Sequence, residues 1–192
     1  MVNYGVLQAM LPEKGKREAV IRFYEKIQNL PLAQNHPHFS LQYAIARLSY
    51  DESDDLEVAK RFLDSAYVRA KKRSDYSHTR HMDNVKARYL IKHSITLSDI
   101  NEAMKELVEA HEILIKQIRT EKSDAPYKVA QNYLSFYNNK KTQLIPEKRD
   151  KLKVMSADII GYISNLDETI KNEKTIGICK SNLESLITDI ER

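Results

Sequence analysis

The sequence predicts an all-α protein, and two observations support this fold class. The 192 residues include only four glycines and five prolines, so the turns that usually separate β-strands have few residues to form them. Apolar residues instead recur at spacings of three and four, which is the period of one helix face. We therefore predict a series of helical hairpins that ends in an antiparallel C-terminal helical hairpin.

Composition narrows the broad class of protein. Hydrophobic residues make up 42% and charged residues 30% of the chain, which is typical of a folded domain with a buried core. The 31 cationic and 27 anionic side chains leave a net charge of +4, which does not by itself indicate a nucleic-acid-binding protein. The single cysteine, Cys179, has no partner for an internal disulfide. We expect a cytoplasmic protein with no membrane segment and no secretory signal, because no apolar run reaches the roughly 18 residues of a membrane span.

The first helix is predicted over residues 14–29, between Pro12 and Pro31. A hairpin follows, in which Pro37 opens one helix, the segment "DESDD" forms the turn, and a second helix continues to about residue 73. Both predicted elements place their apolar residues on one face. The first helix carries Ala19, Val20, Phe23, Tyr24 and Ile27, and the second helix of the hairpin carries Ala59, Phe62, Leu63, Ala66, Tyr67 and Ala70.

Three more helices are predicted over residues 79–93, 98–120 and 127–140, each with an apolar stripe at helical spacing. From Pro146 to Ile170, and again from Ile176 to Ile190, apolar residues alternate at three and four with "NEKTIG" between them. We interpret residues 143–192 as a coiled-coil-like helical hairpin packed on the preceding helices. Such a short seam needs a partner, which is either the repeat helices or another chain, so an oligomer through this hairpin is possible.

Alanines recur at a fixed period in residues 1–142. The pattern Ala59-x3-Leu63-x2-Ala66 returns 44 residues later as Ala103-x3-Leu107-x2-Ala110, and the alanines of the first helices are 43 residues apart, at Ala44, Ala87 and Ala130. Alanine on both helices of a hairpin allows close approach of their backbones. Because one hairpin leaves a face uncovered, neighbouring hairpins are expected to stack. This period predicts tetratricopeptide-like repeats, an α-solenoid, over residues 1–142.

Three segments of this region resemble a known family. They read "HPHFSLQYAIARL", "AKRFLDSAYVRAKKR" and "HTRHMDNVKARYLI", and residues 20–95 as a whole resemble the tetratricopeptide-like C-terminal region of bacterial STAND-type and sirtuin-linked NTPases implicated in antiviral defence. The chain departs from the family at Ser40, where tryptophan is common, and at His81 and Met82, where glutamine and isoleucine are usual. The resemblance implies a sensing or scaffolding role, since the nucleotide chemistry of the family lies in other domains and this sequence has no GxxxxGK[ST] motif.

The most concentrated charge of the chain lies at the end of the second hairpin helix. The candidate binding residues are Arg69, Lys71, Lys72, Arg73 and Arg80. Cations at a helix C-terminus are favoured by the helix dipole without any ligand; as an alternative, they bind phosphate or an acidic partner. We expect a protein partner, with nucleic acid as the less supported alternative.

Histidines offer the enzymatic alternative. The pairs Arg73–His78 and Arg88–His93 fit the R-x4-H motif of HEPN-type ribonucleases. In that motif the histidine acts as a general acid or base and the arginine holds the scissile phosphate. A short two-residue motif also arises by chance in a chain with several histidines and arginines, so it is a weak indication of a ribonuclease.

The remaining chemistry-bearing residues favour structural roles. The histidine pairs at positions 36 and 38 and at 78 and 81 lack further ligands at metal-site spacing, so no metal and no cofactor are expected. His111 lies on an apolar helix face, where a histidine that donates to a backbone carbonyl is commoner than a catalytic base. We therefore predict a non-enzymatic protein-recognition or sensor module that binds through the first helices of its hairpins. An HEPN-like ribonuclease and a basic nucleic-acid-binding helical protein are the alternatives.

Overall fold

A computed structural model describes residues 14–48, 53–74, 79–120, 123–166 and 174–192, and every regular element in these ranges is an α-helix. The all-α prediction is therefore confirmed. The chain forms two compact units, Met1–Tyr89 and Leu90–Arg192. The predicted domain boundary after residue 142 stays a prediction. In the ranges given above, no helix has the length and apolar character that a membrane crossing requires.

The first unit contains α1 (Lys14–Ile27), α2 (Pro31–Asn35), α3 (Pro37–Arg47), α4 (Ser53–Arg73) and the first part of α5 (Thr79–Thr96). Helix α2 was missing from the sequence prediction because five residues are too few to show a helical period. Helix α3 begins with a proline in its first turn, as predicted. The backbone N–H of His38 donates to His36 Nδ1 at 3.3 Å, so His36 is the N-cap of this helix.

Aromatic side chains form the core of the first unit. The rings of Tyr24 and Phe39 meet edge to face with centroids 5.4 Å apart, and those of Tyr43 and Phe62 do so at 4.3 Å. Burial raises the pKa of Tyr24 to about 12. Helices α1, α3 and α4 all contribute to this cluster. One residue of the predicted apolar face is wrongly assigned, because Ala19 is exposed.

A single guanidinium connects the same three helices at the edge of this core. Arg47 at the end of α3 donates to Glu25 Oε1 of α1 at 2.7 Å and to Asp55 Oδ1 of α4 at 2.6 Å. It also donates to the Tyr43 hydroxyl at 3.0 Å. Because the arginine side chain is only 19% exposed, both ion pairs are partly shielded from water and hold α1 and α4 against α3.

The second unit contains the rest of α5, α6 (Ile100–Thr120), α7 (Ala125–Ala130), α8 (Tyr133–Lys140), α9 (Pro146–Ser164) and α10 (Lys174–Glu191). The helix predicted over 127–140 is wrong in one respect, because it is interrupted between α7 and α8. There the side-chain amide of Asn132 donates to the Val129 carbonyl at 2.9 Å and competes with the helical backbone bonds. Helix α9 ends at Ser164 with Asn165 as its C-cap, so the predicted continuation of the helix through Leu166 is wrong. The rest of that prediction, to Ile170, falls in residues 167–173, which lie outside the described ranges.

The apolar face of the last helix packs within its own unit. Helix α10 contacts α7, α8 and α9, and its buried residues are Ile176, Cys179, Leu183 and Leu186. The Tyr137 hydroxyl of α8 donates to the Asp189 carbonyl of α10 at 3.2 Å. Of the two partners that the sequence left open for this seam, helices of the same chain therefore cover it. Burial also raises the pKa of the Cys179 thiol to about 12, which keeps it protonated and non-nucleophilic.

One buried cation fixes the end of α8. Lys140 is 5% exposed, and its ammonium donates to the backbone carbonyl of Leu97, directly after the end of α5. A cation at the C-terminal end of a helix is stabilised by the helix dipole and by the carbonyls that lack a helical partner. The bond therefore joins the α5–α6 connection to α8 inside the second unit.

The recurring alanines are all buried. Each of the seven is at most 1% exposed: Ala44, Ala59, Ala66, Ala87, Ala103, Ala110 and Ala130. A methyl side chain at zero exposure indicates that a neighbouring helix approaches closely at that point. The period read from the sequence therefore marks closely packed positions in both units, whereas tetratricopeptide-like stacking of the hairpins stays a prediction.

Enlarging one of these alanines tests the close packing. We expect Ala66→Leu to lower the free energy of unfolding by about 1–3 kcal/mol, because three added carbon atoms have no space beside the facing helix. Ala19→Leu introduces the same side chain at an exposed position and should change stability by less than about 0.5 kcal/mol. Urea unfolding followed by circular dichroism measures both. Equal stability of the two variants would contradict close packing at Ala66.

Candidate functional site

The five predicted binding residues occupy two different environments. Arg69 is half-buried, and its guanidinium donates to the Ala33 carbonyl at 3.1 Å and to the Ser40 hydroxyl. Ser40 is fully buried, and burial also lowers the pKa of Arg69 from its usual value. Arg69 therefore fastens α4 to α2 and α3, a role that the sequence pattern alone does not distinguish from surface binding.

The other four cations lie on the surface. Lys71, Lys72 and Arg73 form the exposed last turn of α4, and Arg80 is exposed in the first turn of α5. We call Lys71, Lys72 and Arg73 the basic segment. The following residue, Ser74, has a φ of 51°, the left-handed conformation that commonly ends a helix. The chain thus leaves the α4 axis directly after the basic segment, with its three cations on one helix end.

The exposed surface of the first hairpin belongs to its second helix. Every side chain of α3 is buried or half-buried, whereas α4 has a stripe of exposed side chains. The stripe consists of Glu57, Lys60, Arg61, Asp64, Val68, Lys71 and Lys72. Val68 is the most exposed large apolar side chain of α4, at 66%. We predicted binding through the first helix of each hairpin, but α3 has little accessible surface. In this hairpin the accessible face belongs to the second helix, α4.

The structure brings the ribonuclease candidate His93 beside a carboxylate. Its Nδ1 lies 2.9 and 2.8 Å from the two carboxylate oxygens of Glu106 in α6. A carboxylate so placed fixes the orientation of the ring and holds a proton on Nδ1. Arg88 lies in the same helix as His93 and is half-buried. The second candidate histidine, His78, lies outside the described ranges.

His111 binds two side chains instead of the expected backbone carbonyl. The Tyr133 hydroxyl lies 3.1 Å from its Nδ1, and Asp158 Oδ2 of α9 lies 3.6 Å from its Nε2. Burial lowers the pKa of His111, although Asp158 and then Glu112 act in the opposite direction. Burial also raises the pKa of Tyr133. The tyrosine hydroxyl therefore stays protonated and donates a hydrogen bond to Nδ1. The neutral imidazole then carries its own proton on Nε2, which faces Asp158.

His111 opens onto a cleft of about 390 Å³ between α6 and α9. At the other end of the cleft, Arg119 Nε donates to the Tyr162 hydroxyl at 2.7 Å. Its guanidinium carbon lies 5.9 Å from the centre of the Tyr162 ring. The sequence analysis missed this site because its two sides are about 40 positions apart. The only local signal was the charged Asp158 within an otherwise apolar stretch of α9.

Comparison of the chain with protein-family models, with curated proteins and with solved structures finds no match. In the ranges that the structure describes, no group of three or more histidine, cysteine, aspartate or glutamate side chains is arranged to hold a metal ion. The candidate functional sites of the described residues are therefore two surfaces, the basic segment of α4 and the cleft between α6 and α9.

The inward position of Arg69 gives it a measurable structural role. Arg69→Met leaves the buried Ser40 hydroxyl without its guanidinium donor and the Ala33 carbonyl with only the His36 N–H, so we expect the free energy of unfolding to fall by about 1–3 kcal/mol. Lys71→Met removes an exposed cation two residues later and should cost less than about 0.5 kcal/mol. Urea unfolding of both variants makes the comparison. A larger loss for Lys71→Met than for Arg69→Met would contradict these assignments.

The neutral state of His111 predicts a pH dependence of stability. Because burial lowers its pKa in the folded chain, the unfolded chain takes up the proton first as the pH falls below about 6.5, and folding loses stability there. His111→Gln removes this contribution. The free energy of unfolding should then fall less steeply between about pH 6.5 and 5, by at most ~1.4 kcal/mol per pH unit. An unchanged slope in His111→Gln would refute the assignment.

Proposed function

We propose that this chain is a non-enzymatic protein-recognition module that contacts an acidic segment of its partner through the basic segment of α4. The observation that supports the proposal is the exposure of three consecutive cations, Lys71, Lys72 and Arg73, at one helix end. Their anchor, Arg69, is bonded inside the unit. The surface charge is therefore presented on a helix end that packing and hydrogen bonds hold in place, which reduces the ordering cost of binding.

The electrostatics of the basic segment favour an anionic partner. Among the described residues, no carboxylate forms an ion pair with Lys71 or Lys72. Both therefore keep their charge available, and a third cation beside them concentrates positive potential at the end of α4. Exposed charges of this kind raise association rates and select for oppositely charged surfaces more than they add affinity. Val68, one turn earlier, offers an apolar contact beside the charges.

The wider context of this role comes from the sequence. The alanine period favours tetratricopeptide-like repeats, which as a class recognise other proteins through stacked hairpins. The resemblance of residues 20–95 to the C-terminal region of STAND-type and sirtuin-linked NTPases favours a sensor or scaffold in an antiviral defence system of the cytoplasm. Because the apolar seam of α10 is covered within the chain, self-association through this hairpin would use the outer sides of α9 and α10, where Val154 and Ile178 are exposed. It would give the module more than one binding surface, and the sedimentation coefficient of the purified chain tests it.

Charge reversal tests the recognition surface directly. A photo-crosslinking amino acid at position 68 lies next to the basic segment and leaves every cation in place. In cells that express the chain, we expect it to form a crosslink to a protein through an acidic segment. Lys71→Glu combined with Lys72→Glu should reduce the yield at least about tenfold, because attraction becomes repulsion between like charges.

The matched control reverses two other exposed cations of α4, Lys60→Glu with Arg61→Glu, and should leave the crosslink yield within about twofold. A crosslink that is equally sensitive to both double variants would contradict a specific role of the basic segment. Crosslinking to RNA in place of protein would favour the nucleic-acid alternative. RNA cleavage by the purified chain that is lost in His93→Ala would favour the ribonuclease alternative.

A further inference from the structure

The cleft between α6 and α9 separates two kinds of charge. Glu112 of α6 and Asp158 of α9 lie at one end, beside the neutral His111, and Lys116 and Arg119 lie towards the other. On α6 the seven residue steps from Glu112 to Arg119 advance about 10 Å along the helix axis. The cleft therefore has an acidic end and a basic end roughly one short peptide apart.

Two contacts hold the basic end in position. The Arg119 guanidinium is bonded through Nε to Tyr162 and lies over that ring. A guanidinium has five N–H groups, so four remain for a ligand after this bond. Among the described residues, no carboxylate forms an ion pair with Lys116 or Arg119. A fixed guanidinium with its two terminal nitrogens available suits a carboxylate, because the two planar groups form paired hydrogen bonds.

The acidic end is arranged to receive a cation. The Asp158 side chain is 56% exposed, and its Oδ2 lies 3.6 Å from His111 Nε2, beyond the range of a good hydrogen bond. Its oxygens therefore keep most of their capacity to accept hydrogen bonds. The neutral imidazole behind it adds no positive charge, so a ligand ammonium meets Asp158 and Glu112 without repulsion. Ile115, between the two ends, gives the cleft an apolar middle.

The two charged ends also restrict which ligand fits. A purely anionic ligand would place its second end against two carboxylates, and a purely cationic ligand would place its second end against Lys116 and Arg119. Repulsion between like charges therefore disfavours both. A molecule that carries one charge of each sign, separated by about 10 Å, satisfies both ends at once. An extended tripeptide with free termini has this span, at about 3.3–3.6 Å per residue.

We propose that the α6–α9 cleft binds a small peptide-like zwitterion, with its carboxylate at Arg119 and Lys116 and its ammonium at Asp158 and Glu112. The site lies wholly within the second unit and does not depend on the basic segment of α4. The tests of the basic segment and of the cleft are therefore independent of each other.

Triglycine is the probe that tests this site. Titration into the full-length, isotope-labelled chain should shift the backbone amide signals of residues 111–120 and 158–162, with a dissociation constant on the order of 1 mM for so small a ligand. N-acetyl-triglycine lacks the ammonium and triglycinamide lacks the carboxylate. Each should bind at least about tenfold more weakly, since each leaves two charges of the cleft without a partner.

Two substitutions locate the binding within the cleft. Arg119→Gln and Asp158→Asn should each weaken triglycine binding at least about tenfold. The exposed positions Arg192→Gln and Asp150→Asn are matched controls in the same unit and should leave it unchanged. Circular dichroism checks that each variant is folded. The modified peptides test the same charges on the unchanged protein, so that test does not depend on the folding of a variant. Equal binding of the three peptides, shifts confined to residues outside the cleft, or insensitivity to both cleft substitutions would each overturn the proposal.

Discussion

Close approach of helices at alanine is the constraint on which the rest of this structure depends. Seven alanines at a spacing of 43 to 44 residues are essentially inaccessible to solvent, and a larger side chain at any of them would force neighbouring helices apart. Close packing brings short polar contacts within reach. Arg69 can reach Ser40, and Arg47 can reach Asp55, because α4 lies tightly against α3. Arg47 also reaches Glu25, because α1 packs against α3 as well.

The same packing decides which side chains are left for function. The side of α4 that faces α3 is buried in the core. The exposed stripe lies on the opposite side of α4, and the basic segment forms its C-terminal end. In the second unit, α10 covers α7 and α8, while α6 and α9 leave a cleft with charged side chains at both ends. Both proposed surfaces are therefore the parts of the helices that the core does not use.

The helices could be predicted from sequence because a helical period is a local property of the chain. The inward turn of Arg69 could not, since it is two residues from Lys71 and both are cations in the last turns of α4. The two cations differ because Arg69 lies against α2, a helix too short to show a period in the sequence. The cleft was also invisible, because Arg119 and Tyr162 are 43 residues apart and meet through tertiary packing. At the break between α7 and α8, the Asn132 side chain bonds to the carbonyls of Lys128 and Val129, and propensity scales do not resolve such local competition.

The central claim is that the end of α4 forms an interface with a partner in the cell. Lysine-reactive labelling of the chain in intact cells, compared with the purified chain by mass spectrometry, tests it most directly. Lys60, exposed on the same helix, serves as the internal reference. The account predicts that Lys71 and Lys72 are labelled several-fold less in cells than in the purified chain, while Lys60 is labelled equally. Equal labelling of all three lysines in both samples would contradict it.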